Sequence, residues 1–257
     1  MDRHFFIVGA QRCGTSYLHT VLGEHPEIEM AGPLVPEPKF FLRDDFGRLE
    51  QTDYESIHFG GKPGVKRRGE KSTSYMEYEL AARRISSWHP EAQIIFMLRD
   101  PAQRAISNYN FTRRNGLENL PLAEAVASEE RRRDDYDHGR FSTSPYAYLK
   151  RGQYLSCIRT YERYFGRPQL ILLIQEEMVG EIGGIQALYE TLGVRKEFVP
   201  PSLSRLINAD DGCGERPSEE LRDFLTRHFA ESVAGLEEYM GRAITAWRYP
   251  PQGRRAG

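Results

Sequence analysis

The stretch Phe5-Phe6-Ile7-Val8-Gly9-Ala10-Gln11-Arg12-Cys13-Gly14-Thr15-Ser16 joins an unbroken apolar run to a glycine-bearing turn and a pair of hydroxyl residues. An apolar run without alternation suits a strand buried on both faces of a parallel sheet. The turn reads G-x-x-x-x-G-T-S, and the pattern after it, from about Thr15 to Leu22, is helical. Strand, glycine-rich turn and helix is the context a phosphate-binding loop requires. Glycine lets the backbone wrap an anion, and free N–H groups at the helix start present the positive end of its dipole. One position departs from a P-loop NTPase: Thr15 stands where a lysine would reach the β- and γ-phosphates. That loss argues against ATP or GTP hydrolysis. Arg12, inside the loop, is placed to touch a charged leaving group. The bland alternative is a strand-to-helix turn that binds nothing.

Outward from this turn, apolar runs recur at Ile94–Leu98 and Leu170–Ile174 and read as further parallel strands. Helical patterns lie between and after them, at Glu77–Trp88, Pro101–Arg114, Pro121–Asp135, Tyr154–Phe165, Gly184–Leu192 and Ser218–Met240, the last as one helix or a pair. His25-Pro26 and His89-Pro90 close the helices before them, because the residue preceding proline is pushed out of helical geometry. Asp100 is the expected N-cap of a helix with Pro101 at its first position. Glu37–Leu42 reads as a loop with a short extended piece, and residues 51–68 as loop with a short helix at most. Strands alternating with helices predict an α/β fold, a P-loop-like parallel sheet flanked by helices. With no repeat and no linker, residues 1–257 are expected to form a single domain with a flexible tail from about residue 249.

Composition narrows the function classes. The chain has 257 residues, 39% hydrophobic and 28% charged, with a formal net charge of −2. Bulk electrostatic binding of nucleic acid normally needs a strongly basic balance, so none is expected. The clusters Lys66-Arg67-Arg68 and Arg131-Arg132-Arg133 are local, and the second, set against Glu129, Glu130, Asp134 and Asp135, reads as a solvated helix face. Three cysteines, Cys13, Cys157 and Cys213, make neither a disulfide framework nor a CxxC pair, which fits a reducing compartment. The seven histidines form no HExxH pair, so no metal site is expected. No apolar stretch approaches ~20 residues and the first strand begins almost at once, so neither a membrane contact nor a signal peptide is expected and the assigned location is the cytoplasm.

A second anion site is legible after strand Ile94–Leu98. Arg99 falls at the strand's carboxyl end, where open parallel sheets place ligands, and Arg104 and Ser107 are three apart on the following helix. Arg99 and Ser107 would grip a second phosphate; the bland alternative pairs Arg99 with a nearby acid and makes Ser107 a packing residue. Two anion sites at two strand ends suit a nucleotide phosphorylated at both its 5′ and 3′ positions.

Four motifs in order, Gly9–Ser16 (GAQRCGTS), Pro36–Phe41 (PEPKFF), Glu70–Tyr75 (EKSTSY) and Leu98–Tyr109 (LRDPAQRAISNY), resemble the sulfotransferases that use 3′-phosphoadenosine-5′-phosphosulfate (PAPS). The resemblance runs from about Phe5 to Trp247 and is closest to the heparan-sulfate sulfotransferase-like group and its short bacterial relatives. It implies that the segment Arg12, Cys13, Gly14, Thr15 and Ser16 binds the 5′-phosphosulfate, that Arg99 and Ser107 bind the 3′-phosphate, and that Arg12 stands where many animal members carry lysine. It implies Glu37 as the base on the acceptor, Lys71 facing the sulfuryl group, and Phe40 and Phe41 anchoring their loop, with Glu70 orienting Lys71 or the loop. The acceptor would be a hydroxyl, less readily an amine, of a sugar or small natural product. Lys39 stands where relatives often carry histidine, which suggests a more acidic acceptor. The family's late donor loop has its nearest counterpart in residues 208–217, with Arg216. Arg151-Gly152-Gln153-Tyr154 looks like a family segment near the site. His25, Trp88 and His89 read as structural, and His58 is the fallback base. Two other readings stand beside this one: a small-molecule kinase on the same loop, and a nucleotide-binding protein without chemistry.

Overall fold

In a computed structural model, which describes residues 4–205 and 214–248, five parallel strands form one sheet in the order β2-β3-β1-β4-β5. They are β1 (His4–Gly9), β2 (Ile28–Met30), β3 (Arg67–Lys71), β4 (Gln93–Leu98) and β5 (Leu170–Ile174). The central strand β1 lies between β3, with Ile7 opposite Lys71, and β4, with Ile7 opposite Ile95. Because strand side chains alternate, β1 and β4 feed two cores. Phe5, Ile7, Ile95 and Met97 face α1 (Thr15–Gly23), the short α7 (Gln175–Met178) and α8 (Ile182–Leu192), while Phe6, Val8, Ile94 and Phe96 face α3 (Glu79–Trp88) and α6 (Tyr154–Glu162). All eight strand residues are fully buried, as a sheet covered on both faces requires.

The expected strands and the fold class hold; several boundaries change. Residues 51–68 contain α2 (Gln51–His58) and lead into β3. Glu37–Leu42 carries no extended piece but a 3₁₀ turn, Phe40–Leu42. The helix expected from Glu77 begins at Glu79, after a 3₁₀ turn, Thr73–Glu77. The one expected over Pro121–Asp135 stops early, as α5 (Leu122–Ala127). Its basic run is not simply solvated: Arg132 pairs at 2.8 Å with the carboxylate of Glu118, which is wholly buried, and lies over the Tyr146 ring. Ser218–Met240 is one helix, α9 (Glu219–Met240), capped by the Ser218 hydroxyl. Asp100 caps α4 (Pro101–Arg114) by accepting the Gln103 N–H at 2.8 Å.

The strand order sets the site. The chain runs from β1 outward through β2 and β3, then crosses back to place β4 on the other side of β1. The crevice at the carboxyl ends of β1 and β4 is therefore a topological switch point, where such sheets bind ligands. The turns after β1, β3 and β4 all emerge on that edge.

Behind the edge, His25 shows how the end of α1 is fixed. The Glu27 N–H donates to Nδ1 at 3.0 Å, which leaves Nε2 to donate to the Arg195 carbonyl at 2.9 Å. Burial holds His25, and also His19 on α1, below the usual histidine range. The native state thus binds fewer protons than the unfolded chain at these two sites, and their contribution to stability falls as pH drops through about 6.5. The His25→Gln variant is expected to lose less melting temperature than the parent between about pH 7.5 and about pH 5.5; equal slopes in a calorimetric pH series would exclude His25 as a source of the acid sensitivity.

Candidate active site

The phosphate loop is built as its sequence implies. Gly14 caps α1 in the left-handed region, at φ 78°, and no side chain caps the helix. The first N–H groups of α1 are thus left for a ligand. Gly9 is needed for a different reason: a Cβ there would lie 2.8 Å from Met76. Thr15 and Cys13 are buried beneath the loop. Burial pushes the Cys13 thiol up to about 11, so it stays protonated, 3.7 Å from the Tyr154 hydroxyl. The same hydroxyl donates to the Arg99 carbonyl at 2.8 Å, so one tyrosine of α6 ties the loop after β1 to the turn after β4.

Arg99 and Ser107 flank that turn. The Arg99 guanidinium is half-buried and makes no side-chain hydrogen bond or ion pair among the described residues, so the expected alternative, pairing with a nearby acid, is not what holds it. Arg12 adopts φ 67°, and its Nε lies 3.3 Å from the Ser107 hydroxyl with the guanidinium 4.7 Å from the Phe111 ring centroid. The side chain of the first anion motif therefore reaches into the second. Arg104 turns the other way: wholly buried, it donates to the carbonyls of Ala147 and Tyr148. Of the late segment, residues 206–213 lie outside the described residues; Arg216 is exposed, while its neighbour Glu215 accepts from the Tyr109 hydroxyl at 2.5 Å and from the Leu122 N–H at 3.1 Å.

Glu37 and Lys71 meet. Lys71 Nζ lies 2.8 Å from Glu37 Oε1, with the lysine side chain only 4% exposed and the glutamate 17%. Thr73 completes the clamp: its N–H donates to Oε2 at 2.8 Å, and its hydroxyl lies 3.0 Å from both oxygens. A carboxylate offers about four lone-pair positions. The ammonium, the Thr73 amide and the one Thr73 hydroxyl proton occupy three of them, so one direction is left for a proton from outside. Thr73 was not singled out in the sequence, although it sits two residues after Lys71 in the same motif.

Phe40 and Phe41 anchor the glutamate's loop, fully buried against Tyr54, Phe46 and Trp88. Lys39 is held in the left-handed region at φ 48° and reaches the Ser142 hydroxyl at 2.9 Å. His58 lies behind the loop, with Nδ1 2.9 Å from the Gly32 carbonyl and its ring against Phe40. Arg151 is buried and paired with Glu77 at 2.7 Å, with Asn108 and Thr143 as further partners. Two cavities open beside these groups. One of about 360 Å³ is bordered by Ala10, Thr73, Glu77 and Tyr78, and one of about 110 Å³ by Lys39, Phe111 and Phe141; Gln11, Thr143 and Arg151 border both.

A glycine-bearing loop at the switch point, a cation one strand away and a buried glutamate–lysine pair therefore lie together on one edge of the sheet. The chain belongs to the sulfotransferase domain family, which residues 2–207 match, and it is accordingly an enzyme, a sulfotransferase. It is 28% identical over 195 residues to human heparan sulfate glucosamine 3-O-sulfotransferase 3B1, an alignment covering 74% of this chain and 46% of the human protein. The chain thus spans about half the length of the curated relatives it matches. The crystal structure of a sulfotransferase from Alicyclobacillus acidocaldarius superposes with a TM-score of 0.79 at 30% identity, over 97% of this chain and 99% of that one. Mouse sulfotransferase SULT7A1 complexed with PAP shares the fold, with a TM-score of 0.54 at 15% identity over 92% of this chain and 85% of that one. No helix among the described residues is long and apolar enough to cross a membrane. The family leaves no place for the kinase reading.

The buried Glu37–Lys71 pair also bears on stability. Removing one partner of a buried pair strands the other charge, at a cost of about 3 kcal/mol or more. Glu37→Ala is expected to lose that much in urea unfolding, and adding Lys71→Met to the same chain is expected to recover part of it. A double variant as unstable as the sum of the single ones would mean that the two side chains do not depend on each other.

Proposed function

We propose that the enzyme transfers the sulfuryl group of PAPS to a hydroxyl of a sugar or small natural product and releases 3′,5′-ADP. The observation that carries this reading is the meeting of Glu37 and Lys71, distant in sequence, at 2.8 Å on the edge that also bears the phosphate loop and Arg99. The uncapped start of α1 suits the 5′-phosphosulfate, and Arg99, with no ion pair among the described residues, suits the 3′-phosphate together with Ser107.

In the transfer step the acceptor oxygen attacks sulfur in line with the bond to the 5′-phosphate. The S–O bond to the phosphate breaks as the new S–O bond forms, and the electron pair stays on the phosphate oxygen. The acceptor proton goes to the open lone pair of Glu37. Lys71 and Arg12 supply positive charge, Lys71 toward the sulfuryl oxygens and Arg12 toward the departing phosphate; such charge counts most where water is excluded. Arg12 is always protonated and gives no proton. For Arg12 to serve the 5′ end, its guanidinium leaves Ser107 and Phe111 when the donor binds. The names of the curated relatives favour a glucosamine-containing saccharide among the acceptors to be tried first.

The direct test is incubation with labelled PAPS, or with ATP, and a panel of saccharide, phenolic and hydroxylated natural-product acceptors. Release of 3′,5′-ADP with label on an acceptor is the expected result; release of ordinary ADP from ATP instead would overturn the reading. Arg99→Ala is expected to weaken 3′,5′-ADP far more than 5′-AMP, by the ~1.5–3 kcal/mol of a charge-assisted bond. Equal weakening in calorimetry would remove Arg99 from the 3′-phosphate. Glu37→Gln keeps the shape and removes the base, so turnover should fall by about 10²–10⁴-fold while 3′,5′-ADP affinity stays near that of the parent. Near-parental turnover would send the search for the base elsewhere.

A further inference from the structure

Glu70 is a carboxylate that the transfer step does not use, 1% exposed in a largely aromatic core. Strand alternation aims it away from Lys71: Glu70 lies opposite Phe6 and points to the α3–α6 side, while Lys71 lies opposite Ile7 and points to the α1 side. A carboxylate in such a place requires hydrogen-bond donors. Two hydroxyls donate to it, Ser72 to Oε1 at 2.7 Å and Tyr54 to Oε2 at 2.8 Å, and the nearby Tyr75 hydroxyl also favours its charged form.

Two of these hydroxyls have a second partner, and both second partners lie in the loop that carries Glu37. The Lys39 N–H donates to Ser72 Oγ at 2.9 Å, and the Phe41 N–H donates to the Tyr75 hydroxyl at 3.0 Å. Ser72 spends its proton on Glu70 and offers a lone pair to the Lys39 N–H, and Tyr75, beside the same carboxylate, offers its lone pair to the Phe41 N–H. Burial pushes the Glu70 carboxyl up while the hydroxyls around it pull it back down; in its ionised form it takes the Ser72 proton inward and turns the Ser72 lone pair toward Lys39. Lys39 is the residue whose φ is 48°, a conformation that non-glycine residues adopt at a cost. The bond to Ser72 falls at the point where that turn needs holding.

We propose that Glu70 is a positioning residue of the transfer reaction. Through Ser72 and Tyr75 it fixes the Lys39–Phe41 turn and so holds the Glu37 carboxylate against Lys71 and beside the phosphate loop. The inference rests on Glu37 acting as the base. It assigns Glu70 no contact with donor or acceptor. The wiring also explains why Glu70, Ser72 and Tyr75 share one short motif with Lys71 and Thr73: the end of β3 supplies the base's partners on one side and its loop's anchors on the other.

The test compares Glu70→Gln, Ser72→Ala and Tyr75→Phe with the parent and with Glu37→Gln. Three quantities are read: amide exchange of Lys39 and Phe41, affinity for 3′,5′-ADP, and label transfer from PAPS to the acceptor panel. Loss of positioning near the reacting atoms can cost about 10²-fold in turnover. Each variant that folds, by its melting curve, is expected to show faster exchange at Lys39 or Phe41 and kcat lower by about 10–10²-fold, with 3′,5′-ADP affinity within about two-fold of the parent. Glu70→Gln with Ser72→Ala is expected to be little worse than either alone, because both cut one chain. If Glu70→Gln does not fold, Ser72→Ala and Tyr75→Phe, which leave the carboxylate in place, still decide. Parental kcat in the folded variants, or a loss of donor affinity that matches the loss of kcat, overturns the proposal. An inactive Glu37→Gln beside an active Glu70→Gln defeats the positioning role alone. A fully active Glu37→Gln defeats the base assignment and this inference with it.

Discussion

The parallel alignment of β3, β1 and β4 is the constraint on which everything else rests. Three adjacent strands running the same way deliver three turns to one edge: the phosphate loop after Gly9, the Ser72–Thr73 corner after Lys71, and Arg99 after Leu98. No single turn holds the whole candidate set. β1 supplies backbone N–H groups, β4 a cation, and β3 a lysine that captures Glu37 from a loop outside the sheet. Tyr154 then couples two of the turns through one hydroxyl. The central register, with Ile7 opposite both Lys71 and Ile95, sets the depth at which each group emerges.

Charge around this edge is mostly met by pairing where side chains are buried, with the wholly buried Arg104, held by main-chain carbonyls, as the exception among those named. Lys71 is matched by Glu37, Arg151 by Glu77, and Arg132 by Glu118. Arg99 is the contrast, a half-buried cation without a salt bridge among the described residues.

How much of this was legible in the sequence followed the physical signal each element leaves. β1, β4 and β5 were readable because strands covered on both faces are continuous apolar runs. β3 left no such trace. Its sequence, Arg67-Arg68-Gly69-Glu70-Lys71, looks like a solvated turn, yet it lies inside the sheet, with Arg68 paired to Glu55 and Glu70 and Lys71 satisfied on opposite faces. Tertiary hydrogen bonds took over from hydropathy there. α5 was drawn too long because charged residues carry helical spacing without packing; Glu129, inside the expected helix, turns to accept the N–H groups of Leu149 and Lys150. Among the candidate residues, the placement of Arg99 and of the glycine-bearing loop at strand ends was readable from position alone. Glu37 and Lys71 needed the family resemblance, since a glutamate among prolines and a lysine in a polar run have no local signature. Thr73's clamp and the hydroxyl wiring of Glu70 were not readable, since hydroxyl direction is set by partners from other elements.

The crossing of Ser142 and Thr143 over the site has a bearing on redesign. These two residues touch Lys39, Tyr78, Gln11 and Arg151, mostly through side-chain hydroxyls, and Phe141 beside them borders the smaller cavity. The Glu37 turn, by contrast, is secured through its main chain. Under the proposed reading, a library intended to change which molecule is sulfated belongs in 140–144, where side chains can be exchanged while the Glu37 turn keeps its backbone bonds. Diversifying 37–41 would dismantle the tool along with its preference.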